Sequence, residues 1–328
     1  MPNYFKSKNV LVAGGAGFVG TNLIKRLLAF GANVTATLNE KPALIKDERV
    51  SYIKCNLLKL KDCIYAVKDM DYIFLCAAVT SGAEAILKNP LFLLNPNLII
   101  SMQMLEAAYE ANVKKVLFIS SNTVYPLTDY AVKEDDVNNE YFDKYFIAGT
   151  MKRYCEILCE IYSTKIPKPM KTVVVRPGNL YGPYDKFDTK RSKVIPSLIR
   201  RAIERHDPFV VWGDGMDLKD FIYIDDYIDG MLLAMEKLDK YQPINIANGK
   251  AVTIRDVLKE ILIAADYQDA PVKYDASKPT MIPKRMIDIS LANELLSWSP
   301  KVSLKEGIQR TVDWYRETYT DKTPEETT

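Results

Sequence analysis

The chain has 328 residues, enough for one large or two medium domains around a well-buried core. Hydrophobic residues make up 48% and charged residues 26%, an ordinary globular balance, and a net charge of +2 offers no field for nucleic acid or an acidic membrane. No stretch reads as a signal peptide or reaches the ~18 apolar residues of a membrane span, so a soluble cytoplasmic protein without a membrane partner is expected.

The side chains that ligate metals or act as nucleophiles are sparse. Cys55, Cys63, Cys76, Cys155 and Cys159 have neither zinc-like nor redox spacing, and they read as buried thiols. The single histidine, His206, sits in a charged run, so a hydrolase triad or a multi-histidine metal site is not expected. The basic part of that run, residues 200–205, also contains Glu204, which argues against a nucleic-acid surface. No metal is expected.

In chain order, residues 10–13 are an apolar run that leads into Gly14, Gly17 and Gly20, and residues 21–28 have helical periodicity. A buried strand, a glycine turn and a helix start are the parts of a dinucleotide-binding βα unit. Glycines there let the backbone turn tightly and lie close to a pyrophosphate at the positive helix end. Phe18 and Val19 belong to the same turn. Residues 32–38 read as the second strand, where an acid at the end usually holds the ribose hydroxyls of NAD. Leu38, Asn39, Glu40 and Lys41 stand there instead, and Lys41 suits a 2′-phosphate. The expectation tilts towards NADP without separating it from NAD.

Residues 50–57, ending at Asn56 and Leu57, read as the third strand, and residues 70–78, ending at Ala77 and Ala78, as the fourth. Asn97 opens a long apolar-periodic segment at residues 98–111, and residues 116–121 form the fifth strand, ending at Ser120 and Ser121. Strands alternating with such helices predict an α/β fold with a doubly wound parallel sheet. Ligands then sit at the carboxyl ends of the strands, so these residues surround one crevice.

Beyond about Pro177 the pattern loosens. A basic amphipathic helix is expected at residues 194–205, strands at 209–212, 221–224 and 244–247, and helices at 226–237, 254–265 and 304–317. This predicts a Rossmann domain over residues 1–176, joined by parts of 220–250, and a smaller, partly interleaved α/β substrate lobe over 177–328. Residues 318–328 read as a frayed polar tail.

These motifs resemble the extended short-chain dehydrogenase/reductase family of nucleotide-sugar epimerases, dehydratases and reductases. The resemblance rests on residues 14–20, 76–78, Asn97 and 120–125. Residues 179–187, 194–201, 211–215 and 275–285 are most similar to the GDP-fucose synthase group within it. It implies an NAD(P)(H) cofactor, a nucleotide-diphosphate sugar (GDP-sugar favoured) as partner, and chemistry at the sugar C4. It also implies a homodimer built from helices near residues 98–111 and 150–162. Cofactor contacts carried over are Asn39, Asn56, Leu57, Ala77, Ala78, Val79, Asn97, Ser120, Lys152, Pro177, Asn179 and Leu180. Substrate contacts are Thr123, Asn179, Lys193, Arg201, Trp212, Lys219 and Arg285, with Arg201, Lys219 and Arg285 at phosphate-holding positions.

The family's serine is matched by Ser121. Its Tyr-x-x-x-Lys pair is not matched whole. Starting from Tyr145 puts Gly149 in the lysine position, and starting from Lys152 puts Ala148 in the tyrosine position. The second register fits the following helix better and leaves no proton-transfer tyrosine. The chain is then a form inactivated by replacing Tyr with Ala, a natural variant using another group such as Tyr145 or Thr123, or a nucleotide-sugar binder without turnover. The Cys and His that epimerise in the GDP-fucose synthase group are replaced by Thr123 and Lys193, which makes double epimerisation by that pair doubtful.

Overall fold

Strands covered by helices on both faces need apolar residues on both faces, and the apolar runs of the first half meet that need. In the computed structural model, which describes residues 1–80, 89, 91–189, 192–278 and 281–319, they become β1 (Asn9–Ala13), β2 (Asn33–Leu38), β3 (Val50–Lys54), β4 (Tyr72–Leu75) and β5 (Lys115–Ile119). The later strands are β6 (Ala131–Val132), β7 (Lys171–Pro177), β8 (Asn179–Tyr181), β9 (Phe209–Trp212), β10 (Leu218–Tyr223), β11 (Pro243–Ile246), β12 (Ala251–Thr253), β13 (Val272–Asp275) and β14 (Met286–Ile287).

Seven strands form one sheet in the order β11-β7-β5-β4-β1-β2-β3, every neighbouring pair parallel. The strand order reverses beside β1, so the crevice at the carboxyl ends of β1 and β4 is where a doubly wound sheet binds its ligand. Three small sheets, β12-β10-β8, β13-β9 and β14-β6, lie outside it. The chain passes from the large sheet to a small one across Gly178 alone, between β7 and β8. A Cβ on Gly178 would lie 2.7 Å from Asp220 Oδ1, so only glycine permits that crossing.

One hydrophobic core joins the two parts. Leu23, Ile24 and Leu27 of the Phe18–Ala29 helix share a cluster with Ile199, Ile222, Val257 and Ile308 from the second half. On the other sheet face Leu11, Ile73 and Val116 pack with Met104, Leu105, Cys155 and Cys159. Four cysteines are therefore ordinary core residues, and Cys76 is half-buried.

Two elements depart from expectation for physical reasons. The helix expected to open at Asn97 runs over Leu91–Glu110, with Pro96 inside it. Asn97 does not cap it. Its amide instead donates back to the Leu93 carbonyl at 2.7 Å, within the turn where Pro96 withholds its own N–H. The helix is apolar enough to cross a membrane by length and composition, and Met104, Leu105 and Ala108 on its inner face pack on the sheet. The strand expected at 221–224 instead begins at Leu218, because residues 218–220 pair antiparallel with β12, and Ile224 starts the Ile224–Lys237 helix.

Candidate active site

The glycine turn is shaped by close approaches that a side chain would block. Gly14 has φ +95°, and a Cβ there would lie 2.7 Å from the Ala77 nitrogen. A Cβ on Gly20 would overlap the Gly14 carbonyl oxygen, so helix and strand meet directly. Thr37 closes the turn from β2, accepting from Gly14 N at 2.8 Å. The Phe18–Ala29 helix starts at Gly17 with no side-chain cap, with Phe18 and Val19 half-buried in its first turn. Its positive end and uncapped first turn fit the pyrophosphate of a dinucleotide.

Most other expected cofactor residues follow the carboxyl ends of β2, β3 and β4. Asn97 clamps the loop after β4: its carbonyl oxygen accepts from Val79 N at 2.8 Å, and its amide donates to Val79 O at 3.0 Å. That fixes Ala77, Ala78 and Val79 opposite Gly14. Asn39 is exposed at the end of β2 with Glu40 and Lys41. Asn56 follows β3 and accepts from Leu58 N at 3.1 Å, while Leu57 is buried.

Ser120 and Ser121 end β5 with side chains committed to different partners. Ser121 Oγ accepts from both Thr123 N (3.1 Å) and Thr123 Oγ1 (2.9 Å). A hydroxyl has two lone pairs and one proton, so Ser121 is left to donate outward. Lys152, on the Phe146–Thr164 helix, donates its ammonium to the Ile119 carbonyl at 2.7 Å and lies 4.8 Å over the Phe118 ring. Burial pushes its pKa below the ordinary lysine value.

Position 149 settles which residue faces β5. A Cβ on Gly149 would lie 2.6 Å from both the Thr123 carbonyl oxygen and Tyr141 Cδ1, so no lysine fits there. Lys152 takes the inward place, and Ala148, half-buried, stands one turn before it. Tyr145 precedes the first turn, and burial pushes its hydroxyl up to about 12.

Behind these groups lies a buried polar cluster that sequence reasoning missed. Arg176 of β7 grips Glu156 with two 2.8 Å bonds, and Ser120 Oγ donates to the same carboxylate at 2.5 Å. Ser120 is thus turned into the cluster. Arg176 also donates to the Glu134 carbonyl (2.7 Å) and the Tyr125 hydroxyl (3.1 Å), and Tyr125 donates to Asn245 Oδ1 at 2.6 Å. Glu156 and Arg176 are almost fully buried. The available signal was an arginine ending the apolar run of β7, where a charge needs a partner.

The remaining residues expected at the cofactor or the substrate, from Pro177 onward, fall into separate groups. Pro177 is buried and its carbonyl accepts from Asn122 Nδ2 at 3.0 Å. Asn179 donates to the Asp220 carbonyl at 2.9 Å, and Leu180 is buried beside it. The Asp220 carboxylate is pushed up to about 7 by burial, opposed by bonds from Asn248 N and Gly249 N at 2.8 Å each. Lys193 is exposed at the start of the Val194–Ile203 helix. Arg201 donates to the Val210 carbonyl and stacks 5.0 Å from the Phe209 ring. Trp212, at the end of β9, is 47% exposed. Lys219 donates to the Ile282 carbonyl and pairs with Asp217 at 3.3 Å. Arg285 is the most constrained: its guanidinium is buried and donates to the carbonyls of Tyr125 (3.1 Å) and Pro126 (2.9 Å). Burial lowers it to about 10, and two of its nitrogens are already bound within the protein.

A model of the NAD dependent epimerase/dehydratase family matches residues 10–247. This chain belongs to that family. GDP-L-fucose synthase of Escherichia coli (strain K12) is 30% identical over 332 residues, spanning 94% of this chain and 97% of the relative. The dTDP-4-dehydro-6-deoxy-D-allose reductase of a Streptomyces species is 30% identical over 322 residues, spanning 94% and 96%. The solved UDP-glucose 4-epimerase of Thermotoga maritima, bound to UDP-glucose, has a TM-score of 0.85 at 26% identity, covering 94% of this chain and 99% of that one. These epimerase/dehydratase relatives share nucleotide sugars as ligands and differ in base and in reaction.

Proposed function

We propose that the chain is an NAD(P)-dependent oxidoreductase acting at C4 of a hexose carried on a nucleoside diphosphate, with GDP-sugars favoured. The observation that carries this reading is the placement of Ser121 and Lys152 together at the carboxyl end of β5, beside the glycine crevice. Gly14, Gly20 and the uncapped helix start would hold the dinucleotide, which when bound exchanges a hydride with the sugar. Ser121 donates to the C4 oxygen and orients it, because its lone pairs are spent on Thr123. Thr123 is a neutral hydroxyl bonded to Ser121, too weakly basic to abstract the protons at C3 and C5.

The same reading includes a homodimer. Ile99 and Met102 on the Leu91–Glu110 helix and Tyr154, Ile157 and Ile161 on the Phe146–Thr164 helix are exposed apolar residues on two helices that pack together. A second copy would cover such a patch.

A second reading, a binder without turnover, is favoured by Ala148, which has no proton to give. Isotope transfer separates the two. Nicotinamide deuterated at its hydride position is expected to deliver deuterium to C4 of a GDP-linked 4-keto hexose, read by mass spectrometry and NMR of the sugar. Label at another carbon overturns the C4 assignment, and binding without any label transfer supports the binder.

A further inference from the structure

We infer that Lys152 itself exchanges the proton with the sugar C4 oxygen, in the place left open at Ala148. This rests on the C4 reading above. Position 149 has no room for a side chain, so Lys152 is the inward lysine and Ala148 the residue one turn before it. Ala148 carries only a methyl group and supplies no hydroxyl on that turn. Lys152 has three N–H groups, and one is bound to the Ile119 carbonyl at 2.7 Å.

The neighbouring hydroxyls serve this exchange poorly. Thr123 is committed to Ser121, and Ser121 is a donor with no base to take and restore its proton. Tyr145 lies seven residues before Lys152, and its hydroxyl is shifted up by burial, not down by the ammonium. The groups around Lys152 hold its proton and oppose the effect of burial. Cys155, Glu156 and Cys159 act from its own helix, and the Phe118 ring faces it from β5. Glu156 is held by Arg176 of β7 and by Ser120, and among the described residues no ion pair joins it to Lys152. Burial outweighs these contributions and lowers the pKa from the ordinary lysine value, the direction that eases proton exchange.

In the reductive direction the C4 carbonyl carbon gains the hydride pair from NAD(P)H and its C–O π bond opens. The Lys152 N–H bond breaks as the new O–H bond forms. The products are the C4 hydroxyl, NAD(P)⁺ and a neutral lysine amine, which regains a proton from solvent. In oxidation the neutral amine removes the hydroxyl proton and becomes the ammonium.

Two measurements test the inference. In the ligand-free chain with ¹³C-labelled lysine, the resonance lost in Lys152→Arg is expected to titrate below the ordinary lysine range, with no activity required. In turnover, Lys152→Gln is expected to lower kcat at least about 100-fold, with little change in sugar KM. Tyr145→Phe is expected to stay within about twofold of the unaltered chain, and Ala148→Tyr to raise kcat and move the ionisation in its pH profile. Titration of Lys152 in the ordinary lysine range, turnover that survives Lys152→Gln, or loss of turnover in Tyr145→Phe overturns the inference. So does an unaltered chain that binds both ligands and transfers no hydride. Failure to bind dinucleotide or nucleotide sugar at all, or label away from C4, instead defeats the C4 reading itself.

Discussion

Arg176→Met is expected to destabilise the protein by about 3–5 kcal/mol, among the largest effects of any single substitution here. The guanidinium is almost fully buried and satisfies both oxygens of Glu156, itself without exposed surface. Removing it leaves a carboxylate in the interior with only Ser120 and Arg153 as partners. The Tyr125 hydroxyl and the Glu134 carbonyl lose a donor as well. The double variant Arg176→Met with Glu156→Met removes the stranded charge and is expected to recover about 2 kcal/mol or more. Denaturant unfolding reads both. A single variant as stable as the unaltered chain would mean that the ion pair contributes nothing net. The change also reaches the site, since Glu156 ties the Lys152 helix to the end of β5 through Ser120.

Gly20→Ala is expected to weaken dinucleotide binding at least about 100-fold, on the order of 2.7 kcal/mol. The added methyl would overlap the Gly14 carbonyl oxygen and approach the Gly14 carbonyl carbon at 3.1 Å, so the turn must open where the pyrophosphate would lie. Gly17→Ala is the internal control. Its Cβ meets only the Gly14 carbonyl oxygen, at 3.3 Å, and the residue has an ordinary extended φ of −86°, so a loss of about tenfold or less is expected. Fluorescence titration with NADH and NADPH measures both, and circular dichroism confirms that the variants fold. Equal affinities for the two variants would show that the tight approach at Gly20 is not what shapes the site.

Much of the first half could be read from the chain because its signals are local. Buried parallel strands appear as short apolar runs, and Gly14, Gly17 and Gly20 follow β1 directly. The Leu60–Val67 helix escaped because it is short and begins at Lys59 without a side-chain cap. β7 escaped because Arg176 and Pro177 close its apolar run, and the arginine's reason for being there lies elsewhere in the chain.

The same distinction governs the site. Ser121 and Lys152 were expected from the family resemblance, but the choice between Gly149 and Lys152 as the inward position needed the packing of Thr123 and Tyr141 against residue 149. Glu156 and Arg176 are 20 residues apart, and Tyr125 and Asn245 are 120 apart, so no local pattern joins them. The phosphate-holding role implied for Arg285 also rested on position alone. Only the fold shows its guanidinium buried and bound to the Tyr125 and Pro126 carbonyls.

The most direct test of the assignment is calorimetric titration of the purified chain with NAD(P)H and then with GDP- and UDP-linked hexoses. Saturable binding of a reduced dinucleotide, followed by binding of at least one nucleotide sugar to that complex, is the expected result. A folded protein that binds neither contradicts it.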